Sequence, residues 1–384
     1  MLDFGRYIAG PFCAALLADF GADVIRIEKR DGSEDRFVMP VSSTGDGSMF
    51  VQMNRNKRSM TLDPMSEQGR EIVRRLVAGA DVVVANLPAP TLAAMGLDYE
   101  SLRAIRPDII LTSISAFGPS GPYRDRVGFD GIGQAMSGAI FMSGLPDQPM
   151  RSMTSFVDFT TALSCAYGTA LALLERTRTG KGQLVEASLL RTALNLTNSY
   201  TLEQDAIRID RVATGNRGQT SAPADLFRTT DGWILVQVVG GPLFNRVLRL
   251  LDAPEWREDP RFGTDESRGD HGAIISERMA AWCAPRTTSE ALAELESARI
   301  PSGPVYSPQQ ALDDPHVREV GLFERVAYPG MEREAPVAKT PVSIASHPTT
   351  FRRAPLLGEH TDSILRDLGY ERSEVEAFQA NGVI

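Results

Sequence analysis

Asp158 lies in Phe156-Val157-Asp158-Phe159, at the head of a long apolar run that ends in Gly180-Lys181-Gly182-Gln183. A carboxylate placed there has two readings. At the start of a helix it can cap backbone N–H groups or complement the helix dipole. It can also attack an electrophilic carbonyl, because a carboxyl with a reference pKa of about 3.9 is ionised at neutral pH without a general base. A second acid, Asp130 in Gly128-Phe129-Asp130-Gly131, is either a turn aspartate or a partner in the same chemistry. Gly5-Arg6-Tyr7-Ile8-Ala9-Gly10-Pro11 follows a short strand and opens a helix, a setting that turns backbone N–H groups toward an anion. Gly10 and Pro11 read as structural, and Lys57 with Arg58 as either a solvated pair or part of a site.

Other chemistries lack their residues. The glycine stretch has neither the Lys-Ser/Thr of a P-loop nor GxGxxG, so a nucleotide-dependent dehydrogenase is a poor reading. No GxSxG elbow and no HExxH occurs. The three cysteines, Cys13, Cys165 and Cys283, form no CxxC pair, which suggests neither a disulfide framework nor zinc and fits a reducing cytosol. The four histidines, His271, His316, His347 and His360, show no metal-ligand spacing and read as surface or packing residues. No metal and no prosthetic group is expected.

The chain of 384 residues is long enough for two domains, and 42% hydrophobic content with 23% charge is ordinary for a soluble protein. A net charge of −9 argues against nucleic acid or an anionic membrane as partner. A phosphorylated ligand needs only a local basic pocket. There is no signal-peptide pattern and no internal repeat, and the apolar run around Ala162 to Leu174 reads as too short for a membrane span.

The elements that must position these residues alternate. Strands are expected at Leu2–Phe4, Val24–Glu28, Ser59–Leu62, Asp81–Ala85 and Asp108–Ser113, with helices at Pro11–Phe20 and Ser66–Ala78. Near-continuous apolar strands separated by helices predict a parallel sheet covered on both faces. Ser115–Gly138 reads as a long functional loop and Gly180 as the stop of the helix after Asp158. Residues 201–222 read as a linker and 223–314 as a smaller domain that opens with a hairpin turning at Asp231-Gly232. Residues 315–335 read as a second linker, and the end from about Pro336 is proline-punctuated.

Five blocks in order resemble the class III coenzyme A transferase family, which also contains α-methylacyl-CoA racemases. They are Ala9-Gly10-Pro11 with Leu17 to Glu28; Asn54-Arg55-Asn56-Lys57-Arg58-Ser59 with Leu62-Asp63; Asp81 to Leu87; Gly180-Lys181-Gly182-Gln183, 22 residues after Asp158; and Pro355-Leu356-Leu357-Gly358-Glu359-His360-Thr361. The resemblance covers almost the whole chain. It implies an α/β fold, with a large Rossmann-like parallel-sheet domain formed by residues 1–200 with 336–384, a return linker at 315–335, a smaller α+β domain and an interlocked homodimer. It implies an enzyme that moves CoA from an acyl-CoA donor to a carboxylic acid, with Asp158 as nucleophile through a mixed anhydride and an aspartyl-CoA thioester.

Further positions follow from the resemblance alone. Asp130, Phe129, Gly215 and Gly218 would support the active site, the two glycines as part of a mobile loop. Ile8, Ala9, Lys29, Leu62, Asn86 and Arg126 would contact CoA, and Met65 replaces a family lysine. Phe37, Phe50, Phe129 and Met136 either line an acyl pocket or belong to the core. The racemase branch needs two acid–base groups and has a histidine where this chain has Phe129, which favours transfer. A non-catalytic CoA-binding protein is the alternative of another class.

Overall fold

The computed structural model describes residues 1–349 and 351–384. The chain divides into two units. One combines Met1–Ser137, Ser152–Thr201 and Val320–Ile384; the other combines Gly138–Arg151 with Leu202–Glu319.

The first unit is built on six parallel strands: β1 (Leu2–Asp3), β2 (Val24–Glu28), β3 (Lys57–Thr61), β4 (Val82–Ala85), β5 (Ile110–Ser115) and β6 (Gln183–Ser188), in the order β3-β2-β1-β4-β5-β6. Chain direction across the sheet reverses between β1 and β4, and a doubly wound sheet opens its ligand crevice at that switch point, beyond the carboxyl ends of the strands. Alternation in β4 shows how both faces are covered. Val83 and Ala85 join a core with α2 (Glu67–Ala78), while Val82 and Val84 join one with α1 (Ala9–Ala18). Ser66 caps α2 through its hydroxyl, which accepts the Gly69 N–H at 3.0 Å.

The stretch expected to be one loop from Ser115 to Gly138 contains α3 (Asp130–Met136), a helix too short and glycine-rich to announce itself by periodicity. The next helix, α4 (Phe156–Thr179), runs for 24 residues and is longer than its apolar run suggested. With a mean hydropathy of 1.3 over 18 residues it has the length and composition to cross a membrane. Its inner stripe is committed to the core instead: Val157, Thr161, Cys165, Thr169 and Ala172 are buried. The Thr169 and Thr112 hydroxyls bond at 2.6 Å, tying α4 to β5.

Gly180 ends α4 in the left-handed region. Gly182 is required by contact, since a Cβ there would meet the Ile109 carbonyl oxygen at 2.0 Å. The glycine motif therefore lets the chain turn and enter β6 directly beside β5, where the Gln183 N–H reaches the Ile109 carbonyl at 3.1 Å.

α5 (Leu189–Ile207) extends into the stretch expected to be a linker. The second unit carries the antiparallel sheet of β7 (Ala224–Arg228), β8 (Trp233–Gln237) and β9 (Ser302–Pro304), with β7 and β8 forming the expected hairpin. Gly138–Arg151 joins this unit because the Gly144 carbonyl accepts the Gly215 N–H at 2.6 Å. The expected return linker holds a short helix, Pro315–Val320, and a strand, Phe323–Val326. Finally α6 (Thr361–Asp367) and α7 (Arg372–Ala380) bring Ile364, Leu365, Val375 and Phe378 into the same core as α2.

Candidate active site

Asp158 sits in the first turn of α4, with Ser155 at the cap position making no side-chain cap bond. The cap comes from another helix. Asp130, in the first turn of α3, accepts the Asp158 N–H on Oδ1 at 3.0 Å. Gln134, one turn further along α3, donates through Nε2 to the other Asp130 oxygen and accepts the Ser152 N–H on Oε1 at 3.0 Å. Asp130 and Gln134, 5% and 1% exposed, therefore clamp the chain that leads into α4. The half-buried Asp158 carboxylate takes no hydrogen bond among the described residues. Burial, and then the negative charge of Asp130, push its pKa up to about 7.

The surroundings are aromatic. Phe129 is 63% exposed and meets Tyr7 edge-on, ring centres 5.6 Å apart; Phe159 meets Phe12 edge-on at 5.1 Å. Through Tyr7 the aspartate pair adjoins the turn from β1 into α1.

Three side chains pin that turn. Asp3 accepts the Gly5 N–H at 2.8 Å. Asn86, just past β4, accepts the Arg6 N–H at 2.6 Å and donates to the Arg6 carbonyl at 2.9 Å, bridging the switch point. Lys57 donates to Asp3, to the Pro11 carbonyl and to Asn54 at 2.7–2.9 Å, so it is a buried strut. Its pKa is lowered to about 8 by burial. Arg58, in contrast, is a partly exposed partner of Asp23. Gly5 and Gly10 approach so closely that a Cβ on Gly10 would stand 2.9 Å from the Gly5 Cα. Ile8 and Ala9 are buried, so what they can offer a ligand is backbone.

Beyond the ends of β1, β2 and β3 opens a cavity of about 800 Å³, whose wall includes Phe4, Arg6, Lys29, Arg30, Leu62 and Met65. Lys29 is exposed and paired with Glu34.

The predicted site residues thus fall into groups. Phe129, Asp130 and Asp158 come together, Ile8, Ala9 and Asn86 meet at the pinned turn, and Lys29 with Leu62 shares the cavity. Arg126 lies on the exposed loop, its guanidinium 4.0 Å from the Tyr123 ring centre. Gly215 and Gly218 belong to the second unit, where the Gly218 N–H reaches the Ala224 carbonyl at 2.6 Å. Phe50 is core, packed under Arg36, whereas Phe37 and Met136 are exposed. Sequence reasoning missed Arg6 and Gln134. The signals were the place of Arg6 inside the glycine turn and the four-residue helical spacing of Gln134 from Asp130. Among the described residues no group of three or more His, Cys, Asp or Glu is arranged to hold a metal.

The chain matches the CoA-transferase family III over residues 1–361. It is 33% identical over 394 residues to the succinyl-CoA–D-citramalate CoA-transferase of Chloroflexus aurantiacus, covering all of this chain and 96% of that protein. It is 31% identical over 378 residues to the succinate–glutarate CoA-transferase of Agrobacterium fabrum, covering 96% and 94%. Among solved structures, a CaiB/BaiF family protein from Brucella suis superposes with a TM-score of 0.82 at 32% identity, covering 96% of this chain and 97% of that one.

Proposed function

We propose, from the premise that the chain belongs to CoA-transferase family III and is an enzyme of that class, that Asp158 is the nucleophile that passes CoA from an acyl-CoA to a carboxylic acid. The Asp158 carboxylate attacks the thioester carbonyl, forming a mixed anhydride and releasing CoA thiolate. The thiolate attacks the aspartyl carbonyl of the anhydride, giving an aspartyl-CoA thioester and the free donor acid. The acceptor carboxylate then repeats the first step on that thioester, and the thiolate attacks the acceptor's acyl carbonyl to release the new acyl-CoA and restore Asp158.

The observation that carries this reading is an unbonded carboxyl held at the head of α4 by Asp130, with its pKa near 7. A thiol leaving group has a pKa of about 8.5, against about 3.9 for an ordinary aspartate, so anhydride formation is uphill by roughly 6 kcal/mol on that crude scale. Raising Asp158 to about 7 narrows the gap to ~1.5 units, or about 2 kcal/mol. The direction helps the difficult step, and binding of the distant nucleotide can supply more.

The cavity with Lys29 and Leu62 suits the nucleotide end of CoA, and the backbone at Ile8 and Ala9 suits the arm that leads from it toward Asp158. The two curated relatives are named for succinyl-CoA with D-citramalate and for succinate with glutarate, so short dicarboxylic acids are the acceptors to test first. Phe129 cannot carry a proton, which speaks against the racemase branch. A homodimer in a reducing compartment fits both the three free, buried cysteines and the exposed apolar stripe Leu163, Tyr167, Leu171 and Leu174 on α4.

The test is to trap the protein with acyl-CoA and hydroxylamine or borohydride and map the modified peptide. An adduct at Asp158 is expected. Turnover without such an adduct overturns the nucleophile assignment, and α-deuteration in deuterated water without acyl exchange overturns transfer itself.

A further inference from the structure

The cavity beyond β1–β3 is poor in fixed cations. Lys29 is exposed and spent on Glu34, and Met65 offers no charge. Arg30 is exposed and reaches only the Gly382 carbonyl, at 3.4 Å. Arg6 differs. Its NH1 donates to the carbonyls of Phe4, Gly5 and Ile27 at 3.2, 2.7 and 3.3 Å, which fixes the guanidinium across the ends of β1 and β2. Its Nε and NH2 have no partner among the described residues, and it forms no ion pair, although Arg26 and Arg36 nearby are both paired with carboxylates. Glu28, Asp31 and Asp63 share that wall, and among the described residues none of them forms an ion pair with Arg6. Glu28 binds Arg36 and Ser59, and Asp63 accepts the Met65 N–H. Burial and then Arg26 lower the Arg6 pKa to about 10. A half-buried guanidinium pre-oriented by its backbone contacts, with two free edges on a cavity, is an anion site waiting for its anion.

We infer that Arg6 binds the pyrophosphate of the CoA substrate, an assignment that rests on the CoA-transferase reading above. Position selects the pyrophosphate over the 3′-phosphate. Arg6 is followed by Tyr7, which abuts Phe129, whose neighbour Asp130 holds the Asp158 N–H. Arg6 therefore occupies the side of the cavity nearest the reactive carboxylate, with Lys29 and Arg30 past the end of β2. In CoA the pyrophosphate joins the nucleoside to the thiol arm, whereas the 3′-phosphate sits at the nucleoside end.

Calorimetric titration of wild type and Arg6→Ala with CoA, 3′-dephospho-CoA and pantetheine tests this. Loss of a charged contact should weaken CoA and dephospho-CoA by the same factor, about ten- to hundredfold, and leave pantetheine unchanged. Arg6→Lys should recover part of the loss, because it keeps the charge without the planar fork. The assignment is overturned if Arg6→Ala binds CoA as wild type does, or if only CoA weakens, which would put the contact on the 3′-phosphate. It is equally overturned if pantetheine weakens as much, which would make Arg6 a structural residue. Wild-type protein that binds none of the three would remove the CoA-transferase reading itself.

Discussion

With a pKa near 7, Asp158 is half protonated at neutral pH; if it is the nucleophile, the apparent kcat/KM should climb through pH 6–8 and level off above it. Asp130→Asn removes the nearer negative charge and should shift that acid limb downward by less than one unit, because burial is the larger cause. A pH–rate profile of the variant checks this. Asp158→Ala should lower transfer by roughly a thousandfold or more. The same shift has a cost in stability. The native carboxyl keeps a proton that the unfolded chain, at the ordinary value of 3.8, has already lost, so stability falls as pH rises from about 4 to 7. Asp158→Asn should therefore raise the melting temperature at pH 8, by the equivalent of about 1–3 kcal/mol, and leave it unchanged at pH 4. As a candidate nucleophile this aspartate was legible in its spacing to the glycine motif. Its environment was not, because the acid that caps its N–H lies 28 residues away along the chain.

The elements around the site work by fixing chain ends. Gln134 is the clearest case, since one buried amide ties Asp130 to the segment entering α4. Gln134→Ala leaves the Ser152 N–H without its acceptor and should cost about 1–3 kcal/mol in denaturant unfolding. It should also lower kcat more than it raises KM, as Asp158 loses its fixed position. The parallel strands β2, β4 and β5 were readable because each is an apolar, β-branched run. α3 was not, because a seven-residue helix with two internal glycines leaves no periodic trace. The glycines of Gly180-Lys181-Gly182-Gln183 stood out in the sequence, but their task, bringing β6 against β5, depends on a backbone approach to Ile109 that no local pattern encodes.

At the scale of the whole chain, the α4 stripe of Leu163, Tyr167, Leu171 and Leu174 is 40–68% exposed, a row of apolar side chains at helical spacing. If copies pair through it, Leu174→Glu should shift sedimentation toward the monomer. An unchanged profile would place the contact elsewhere. The first unit is assembled from both ends of the sequence, which no local pattern encodes. Its core beside α2 is incomplete until α6 and α7 supply Ile364, Leu365, Val375 and Phe378. During synthesis the sheet therefore leaves the ribosome with the face beside α2 only partly covered, and the missing helices follow only after the entire second unit has been made. At about 5–20 residues per second that interval lasts roughly ten to thirty seconds, long enough for a chaperone to be the first partner this protein meets.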